Sequence, residues 1–164
     1  MDFFETINKR RSVRSYSRKL IDKEEIKKII DAGRLAPTAR CEEPWEFVVV
    51  TQRERLEALA AITDHGKFMA SASAGVFVLC KNTKYYLEDG CAATENILLA
   101  AASLGIGSCW IAGDKKAYAD KILKILKAPQ DYKLISIISL GYPAEGAIDR
   151  DKRDLEDVLH WEEF

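Results

Sequence analysis

A single domain of helices interleaved with strands is what this sequence predicts, and three observations carry it. Runs rich in β-branched residues alternate with segments whose apolar residues recur at helical spacing. A length of 164 residues, 48% hydrophobic and 31% charged, suits one compact core that needs no disulfide or metal staple. No repeat, low-complexity tract or linker divides residues 1–164.

Taken in order, Phe3, Phe4 and Ile7 mark a short helix over residues 2–9 that ends in a basic run. A second helix opens on Asp22 and Glu25, an acidic version of the capping box, carries Ile26, Ile29 and Ile30 as its apolar stripe, and is ended by Pro37. EFVVVT, residues 46–51, reads as a buried strand. Leu56, Leu59 and Ala60 mark a helix, and GVFVLCK, residues 75–81, a further strand. From Tyr85 to Leu104 runs a long Ala- and Leu-rich helix, apolar on nearly every side and so expected to be covered by more than one neighbour, a second subunit among them. Tyr118, Ile122, Ile125 and Leu126 give one more amphipathic helix, and KLISIISLGY, residues 133–142, a central strand. The tail beyond Gly141 carries Pro143, Gly146 and the charges of DRDKRD, then Leu155, Val158 and Leu159 at helical spacing, which could pack on their own domain or on a partner.

Charge and cysteine usage exclude several function classes. Lys plus Arg number 25 against 26 Asp plus Glu, so no global cationic field is available for nucleic acid, and any anion must be bound locally. The four cysteines are far apart, lack a C-x-x-C pair and have two histidines to help them, which argues against a metal site. Cys80, Cys91 and Cys109 sit in apolar context as small core residues. Met1 leads into DFFETINKRR rather than into the apolar run of a signal peptide, and no stretch approaches membrane-spanning length, so the default compartment is the cytoplasm with thiols reduced.

Three segments could carry chemistry. In RRSVR, residues 10–14, an extended backbone places Arg10, Ser12 and Arg14 on one face, two guanidinium forks and a hydroxyl that suit a phosphate. On this segment alone a solvated basic helix end, complementing the macrodipole, is the simpler reading. APTARCEEPW, residues 36–45, is stiffened by Pro37 and Pro44, and Thr38 with the amides around it could donate to a heteroaromatic ring; an ordinary loop anchored by Trp45 is the alternative. LGIGSCWIAG, residues 104–113, has glycines that permit close backbone approach to a flat ligand, or simply form a helix exit. It does not fit G-x-G-x-x-G opening a helix, which rejects a dinucleotide-binding Rossmann unit.

Together, RRSVR, AGRLAPTARCEEPWEFVVV, DGCAATENILLAAASLGIGSCWIAG and LGYPAE, in this order and over nearly the whole chain, closely resemble the flavin-dependent nitroreductase family. The resemblance implies an α+β fold with a mainly antiparallel central sheet flanked by helices, and a homodimer holding two FMN molecules at the subunit interface. Arg10, Ser12 and Arg14, with Arg11 nearby, would grip the FMN phosphate and ribityl chain, and Lys152 and Arg153 would complete the phosphate site. Pro37, Thr38 and Ala39 would approach the flavin from the other subunit, and Trp110, Ile111 and Ala112 would line the isoalloxazine ring, largely through backbone groups. Many members carry Asn and Gln where this chain has Cys41 and Glu43; a thiol is the weaker donor for a flavin contact, and Glu43 would bring negative charge near the site. The chain also lacks the helical excursion that covers the substrate in longer members, which implies an open, unselective pocket.

The activity so implied is transfer of hydride from NADH or NADPH to flavin N5 and on to a small electron-poor acceptor such as a nitroaromatic or a quinone, with the cofactor carrying the chemistry and no general acid or base required of the protein. Alternatives within the resemblance are reductive dehalogenation and flavin fragmentation, which need substrate lids not seen in this sequence. From a different class, a flavin-binding or sensory module without turnover would stay oxidised in the presence of NADH and NADPH.

Overall fold

In the computed structural model, which describes residues 1–144 and 151–164, five helices surround one four-stranded antiparallel sheet. Gly146, Asp149 and Arg150 of the tail lie outside the described residues. Helix α1 (Phe3–Lys9) starts where the Asp2 carboxylate accepts the Glu5 N–H at 2.8 Å, and α2 (Lys23–Arg34) starts at the expected reciprocal box of Asp22 and Glu25. Then follow β1 (Trp45–Val50), α3 (Arg53–Ile62), β2 (Ala74–Lys81), α4 (Tyr86–Ser103), β3 (Gly107–Ala112), α5 (Ala119–Leu126) and β4 (Tyr132–Gly141).

The strand order is β1-β2-β4-β3, so the two most apolar strands occupy the centre. Their side chains alternate between two cores. Val76, Val78, Ile138 and Leu140 meet Ile26 and Ile29 of α2 and Ala93, Ile97 and Ala101 of α4. Phe77, Leu79, Leu134 and Ile137 meet Leu56 and Leu59 of α3 and Ile122 of α5. Helices on both faces explain why β2 and β4 are near-continuous apolar runs instead of alternating ones.

Two elements differ from expectation. EFVVVT reads as a buried strand, but β1 is an edge strand: Trp45 and Val50 are buried at its ends while Glu46 and Val49 face outward. Residues 107–112, read as a glycine-rich segment, form β3, the opposite edge, paired with β4 through Gly107↔Gly141 to Ala112↔Ser136. With glycines flanking a mixed apolar stretch, neither period was visible there. The stripe of α1 also points outward, leaving Phe3, Phe4 and Ile7 exposed beside a groove of about 340 Å³ that includes Leu99 and Ala100 of α4.

Cys80 and Cys109 are buried, Cys91 is half-buried and Cys41 is exposed, all as free thiols. Among the described residues no helix is long and apolar enough to cross a membrane.

Candidate functional site

Residues 10–16 are held against the sheet by their apolar members, which frees the polar ones. Val13 donates its N–H to the Ser108 carbonyl at 2.9 Å, and Ser17 donates to that of Tyr142 at 2.8 Å. Val13 and Tyr16 are buried in notches left by Gly107 and Gly141, which face one another in the β3–β4 ladder. A Cβ on Gly107 would lie 2.9 Å from Val13, and one on Gly141 would lie 2.6 Å from the Tyr16 ring. The Tyr16 hydroxyl donates to the Val13 carbonyl at 2.6 Å and lies 2.6 Å from Ser139 Oγ; burial pushes its pKa well above the usual phenol value.

With Val13 and Tyr16 turned inward, the basic side chains converge on one cavity. It measures about 470 Å³ and is lined by Ile7, Asn8, Arg10, Arg11, Ser12, Arg14 and Lys152. Two segments some 140 residues apart thus supply four cations and, among the described residues, no carboxylate. Arg11 joins Arg10, Ser12 and Arg14 although strand alternation would place it opposite, because it also closes α1, donating to the Asn8 carbonyl at 2.6 Å and that of Arg10 at 2.9 Å. Arg153 does not line the cavity; its guanidinium donates to the Asp157 carbonyl.

Arg14 also lines a second, smaller recess of about 160 Å³, together with Cys109, Trp110, Ile111 and Ala112 of β3. Its guanidinium lies 5.9 Å from the Phe68 ring centroid. Trp110 is 37% exposed while Ile111 is buried in the core, so this edge offers an indole face and backbone groups. Burial pushes the Cys109 thiol pKa up, with Arg14, Ser12 and Arg10 pulling the other way. Asp64, His65, Phe68, Lys116 and Tyr118 complete the lining. Sequence reasoning did not connect them with the site, because Asp64, His65, Phe68 and Lys116 lie in short connections with no periodic signal and Tyr118 is read there only as part of a helix. Lys116 pairs with Asp64 at 3.2 Å, and the Tyr118 hydroxyl donates to the Ala112 carbonyl. Each glycine of residues 104–113 has a part in the fold. Gly105 takes the left-handed conformation (φ 72°) after α4, Gly107 seats Val13, and a Cβ on Gly113 would lie 2.8 Å from the Ile135 backbone.

The loop of Pro37, Thr38, Ala39 and Cys41 is not brought together with either cavity within this chain. Arg40, Cys41 and Glu43 all adopt left-handed conformations (φ 59°, 56° and 44°), each costing about 1–3 kcal/mol in a non-glycine residue. What holds them is a residue the sequence did not announce. Asp89, buried in the first turn of α4, accepts the Thr38 hydroxyl at 2.9 Å and the Ala39 N–H at 3.0 Å, while Thr38 Oγ accepts the Glu43 N–H at 3.1 Å. The Thr38 hydroxyl and Ala39 amide, expected to donate to a ring, are therefore engaged inside the protein. Glu43 faces a separate groove between α2 and β1.

Comparison with known proteins gives this geometry a context. The sequence model of the nitroreductase family matches residues 7–70 and 81–142. A protein of Archaeoglobus fulgidus, provisionally named NADH dehydrogenase/NAD(P)H nitroreductase, is 40% identical over 164 aligned residues, covering 94% of each chain. Among solved structures, an FMN-dependent nitroreductase of Clostridium difficile R20291 superimposes with a TM-score of 0.92 at 32% identity, over 99% of this chain and 100% of that one. A nitroreductase of Bacteroides fragilis solved with bound FMN gives 0.82 at 31% identity, over 99% and 100%.

Proposed function

This chain belongs to the nitroreductase family, and on that premise we propose that it is an FMN-dependent oxidoreductase, drawing hydride from NADH or NADPH and delivering electrons to small electron-poor acceptors such as nitroaromatics or quinones. The observation that carries this reading is the cavity in which Arg10, Arg11, Arg14 and Lys152 gather around Ser12 and which shares Arg14 with the recess lined by Trp110. A phosphate carrying close to two negative charges fits the first space, and a flat heteroaromatic ring fits against the β3 edge beside the second. FMN, when bound, supplies the hydride chemistry.

The chain's own residues bind and tune. Arg10, Arg11, Ser12 and Lys152 hold the phosphate end, while Arg153, next to Lys152 in sequence, is engaged with Asp157. Arg14, shared between the two spaces, places positive charge where the ring accumulates electrons. Trp110, Ile111 and Ala112 present one rigid edge of the sheet to the ring. Residues 1–164 act as one flavin-binding domain, and the working unit is a homodimer in the cytoplasm. Supporting the dimer are the exposed Phe3, Phe4 and Ile7 of α1 and the exposed Leu155, Val158, Leu159, Trp161 and Phe164 of the tail, apolar surface that a lone subunit would leave in water. In that dimer Pro37, Thr38, Ala39 and Cys41 approach the flavin held by the partner.

Replacing Arg14 by Ala tests the assignment. Loss of a charge-assisted contact of about 1.5–3 kcal/mol weakens FMN binding roughly ten- to a hundredfold while the fold persists. FMN fluorescence quenching gives the affinity, circular dichroism checks the fold, and unchanged affinity rejects the site.

A further inference from the structure

Asp89 is a buried carboxylate outside both cavities, and no cation is paired with it among the described residues. Its charge is met by two donors, the Thr38 hydroxyl on Oδ2 and the Ala39 N–H on Oδ1, and by the positive end of α4. Both donors belong to one turn of the 37–43 loop. Thr38 passes the grip on, because the same oxygen that donates to Asp89 accepts the Glu43 N–H and so closes the turn containing Arg40, Cys41 and Glu43.

The platform beneath is rigid. Gly90, the next residue, leaves so little room that a Cβ there would lie 2.6 Å from Ile135 and 2.9 Å from Cys80 Sγ, which fixes the height of α4 above the sheet. Only a carboxylate meets both donors, since an amide at this position offers a single acceptor oxygen and turns its NH₂ toward the other donor. Asp89 also shapes the loop without entering it, because the hydrogens of Thr38 and Ala39 face inward while Pro37, Arg40, Cys41 and Glu43 stay exposed on its outer side.

From this we infer that Asp89 is a positioning residue of the active site, a buried anion that sets the conformation in which the 37–43 loop meets the flavin bound on the partner subunit. The inference rests on the flavin reading proposed above and adds to it a residue about 50 positions away in sequence whose role is exerted wholly through Thr38 and Ala39.

Asp89→Asn, which preserves volume, is the first test. In the flavin-free protein, hydrogen exchange of amides 38–43 should accelerate about tenfold or more while α4 and the sheet keep their protection. In the FMN-loaded protein the visible spectrum and midpoint potential of the flavin should both shift, and its Kd should rise about tenfold, a change that mere global loosening would not confine to these signals. Thr38→Val should repeat the pattern and Thr38→Ser, which keeps the hydroxyl, should restore the parent values; this pair decides the matter if Asp89→Asn does not fold. Unchanged loop exchange overturns the inference, as does a loosened loop with unaltered flavin affinity, spectrum and potential. A wild-type protein that binds no FMN overturns the functional reading and this inference together, whereas wild-type binding matched by Asp89→Asn overturns this inference alone.

Discussion

The basic segment at residues 10–14 and the loop at residues 37–43, which the proposed function brings to one flavin from two subunits, are built in contrary ways. The first is extended, unstrained and pinned by side chains adjacent to its functional ones, Val13 and Tyr16 filling notches at Gly107 and Gly141. The second is tightly turned, carries three left-handed non-glycine residues and is held by a carboxylate on another helix. A segment that binds a charged group through long flexible guanidinium chains needs a firm root but tolerates play at its tips. A loop that meets a ring mostly through backbone must have the backbone itself fixed.

The largest break in this comparison is expected at the root of the basic segment. Gly141→Ala places a methyl group 2.6 Å from the buried Tyr16 ring, with no flexible chain end to give way. Overpacking of this kind costs about 1–3 kcal/mol, and FMN affinity should fall with it because Tyr16 lifts and carries Ser12 and Arg14 along. Urea denaturation reads the first effect and fluorescence quenching the second. Stability loss without loss of affinity would show that the cations find the phosphate independently of their root, and the contrast with the loop would then weaken.

How much of this was legible in the sequence follows the same division. The helices, the two central strands and the convergence of Arg10, Ser12 and Arg14 were readable because each rests on a local period. Edge strand β3 was not, since Gly107, Ser108 and Cys109 show neither alternation nor a β-branched run and the strand forms only because β4 supplies its partner. Lys152 was reached through the family resemblance rather than through any pattern in the tail. Asp89 was invisible for the deepest reason, its meaning lying entirely in hydrogen bonds to residues 38 and 39, a relation without local periodicity. The recess residues His65, Phe68 and Lys116 were hidden likewise, being brought to β3 by turns whose order is set by tertiary packing. One marker was present: Gly66 leaves a Cβ only 2.7 Å from Thr63 Oγ, so the glycine in DHGK signals a crowded turn, though not what the turn faces.

Each region also carries a thiol that reports on it. Cys109 lies buried beside the roots of Ser12 and Arg14, while Cys41 sits exposed on the loop. Burial raises the Cys109 pKa, so at neutral pH it holds its proton and reacts only as pH climbs beyond the ordinary thiol range; Cys41 should be alkylated by iodoacetamide at least about tenfold faster at pH 7.5. The guanidinium of Arg14 lowers the Cys109 pKa, so Arg14→Ala should push its reactivity to still higher pH without changing that of Cys41. Mass spectrometry of peptides labelled across a pH series separates the two. Equal rates for the two thiols would mean that the basic segment opens as readily as the loop.

The smallest expected effect lies at Cys41 itself, and it acts in the stabilising direction. At φ 56° a cysteine pays the full steric cost of the left-handed region, while asparagine enters that region several-fold more often than other non-glycine residues because its short amide bonds locally to the backbone. Cys41→Asn should therefore raise stability by about 0.5–1 kcal/mol, a part of the strain attributed to each such residue. A substitution to Asn at Ser12, where the chain is extended, has no such strain to relieve. Flavin binding then sharpens the result. If Cys41 does no more than fill the turn, FMN affinity and midpoint potential stay at the parent values, since Asp89 and Thr38 already fix the backbone. If the position faces the partner's flavin, as the family resemblance implies, the new amide adds a donor and both quantities move while the stability gain remains. A urea series on the flavin-free protein, followed by a potentiometric titration at equal FMN loading, distinguishes the two outcomes, and a loss of stability in the first would mean that the left-handed conformation at residue 41 is not what strains this loop.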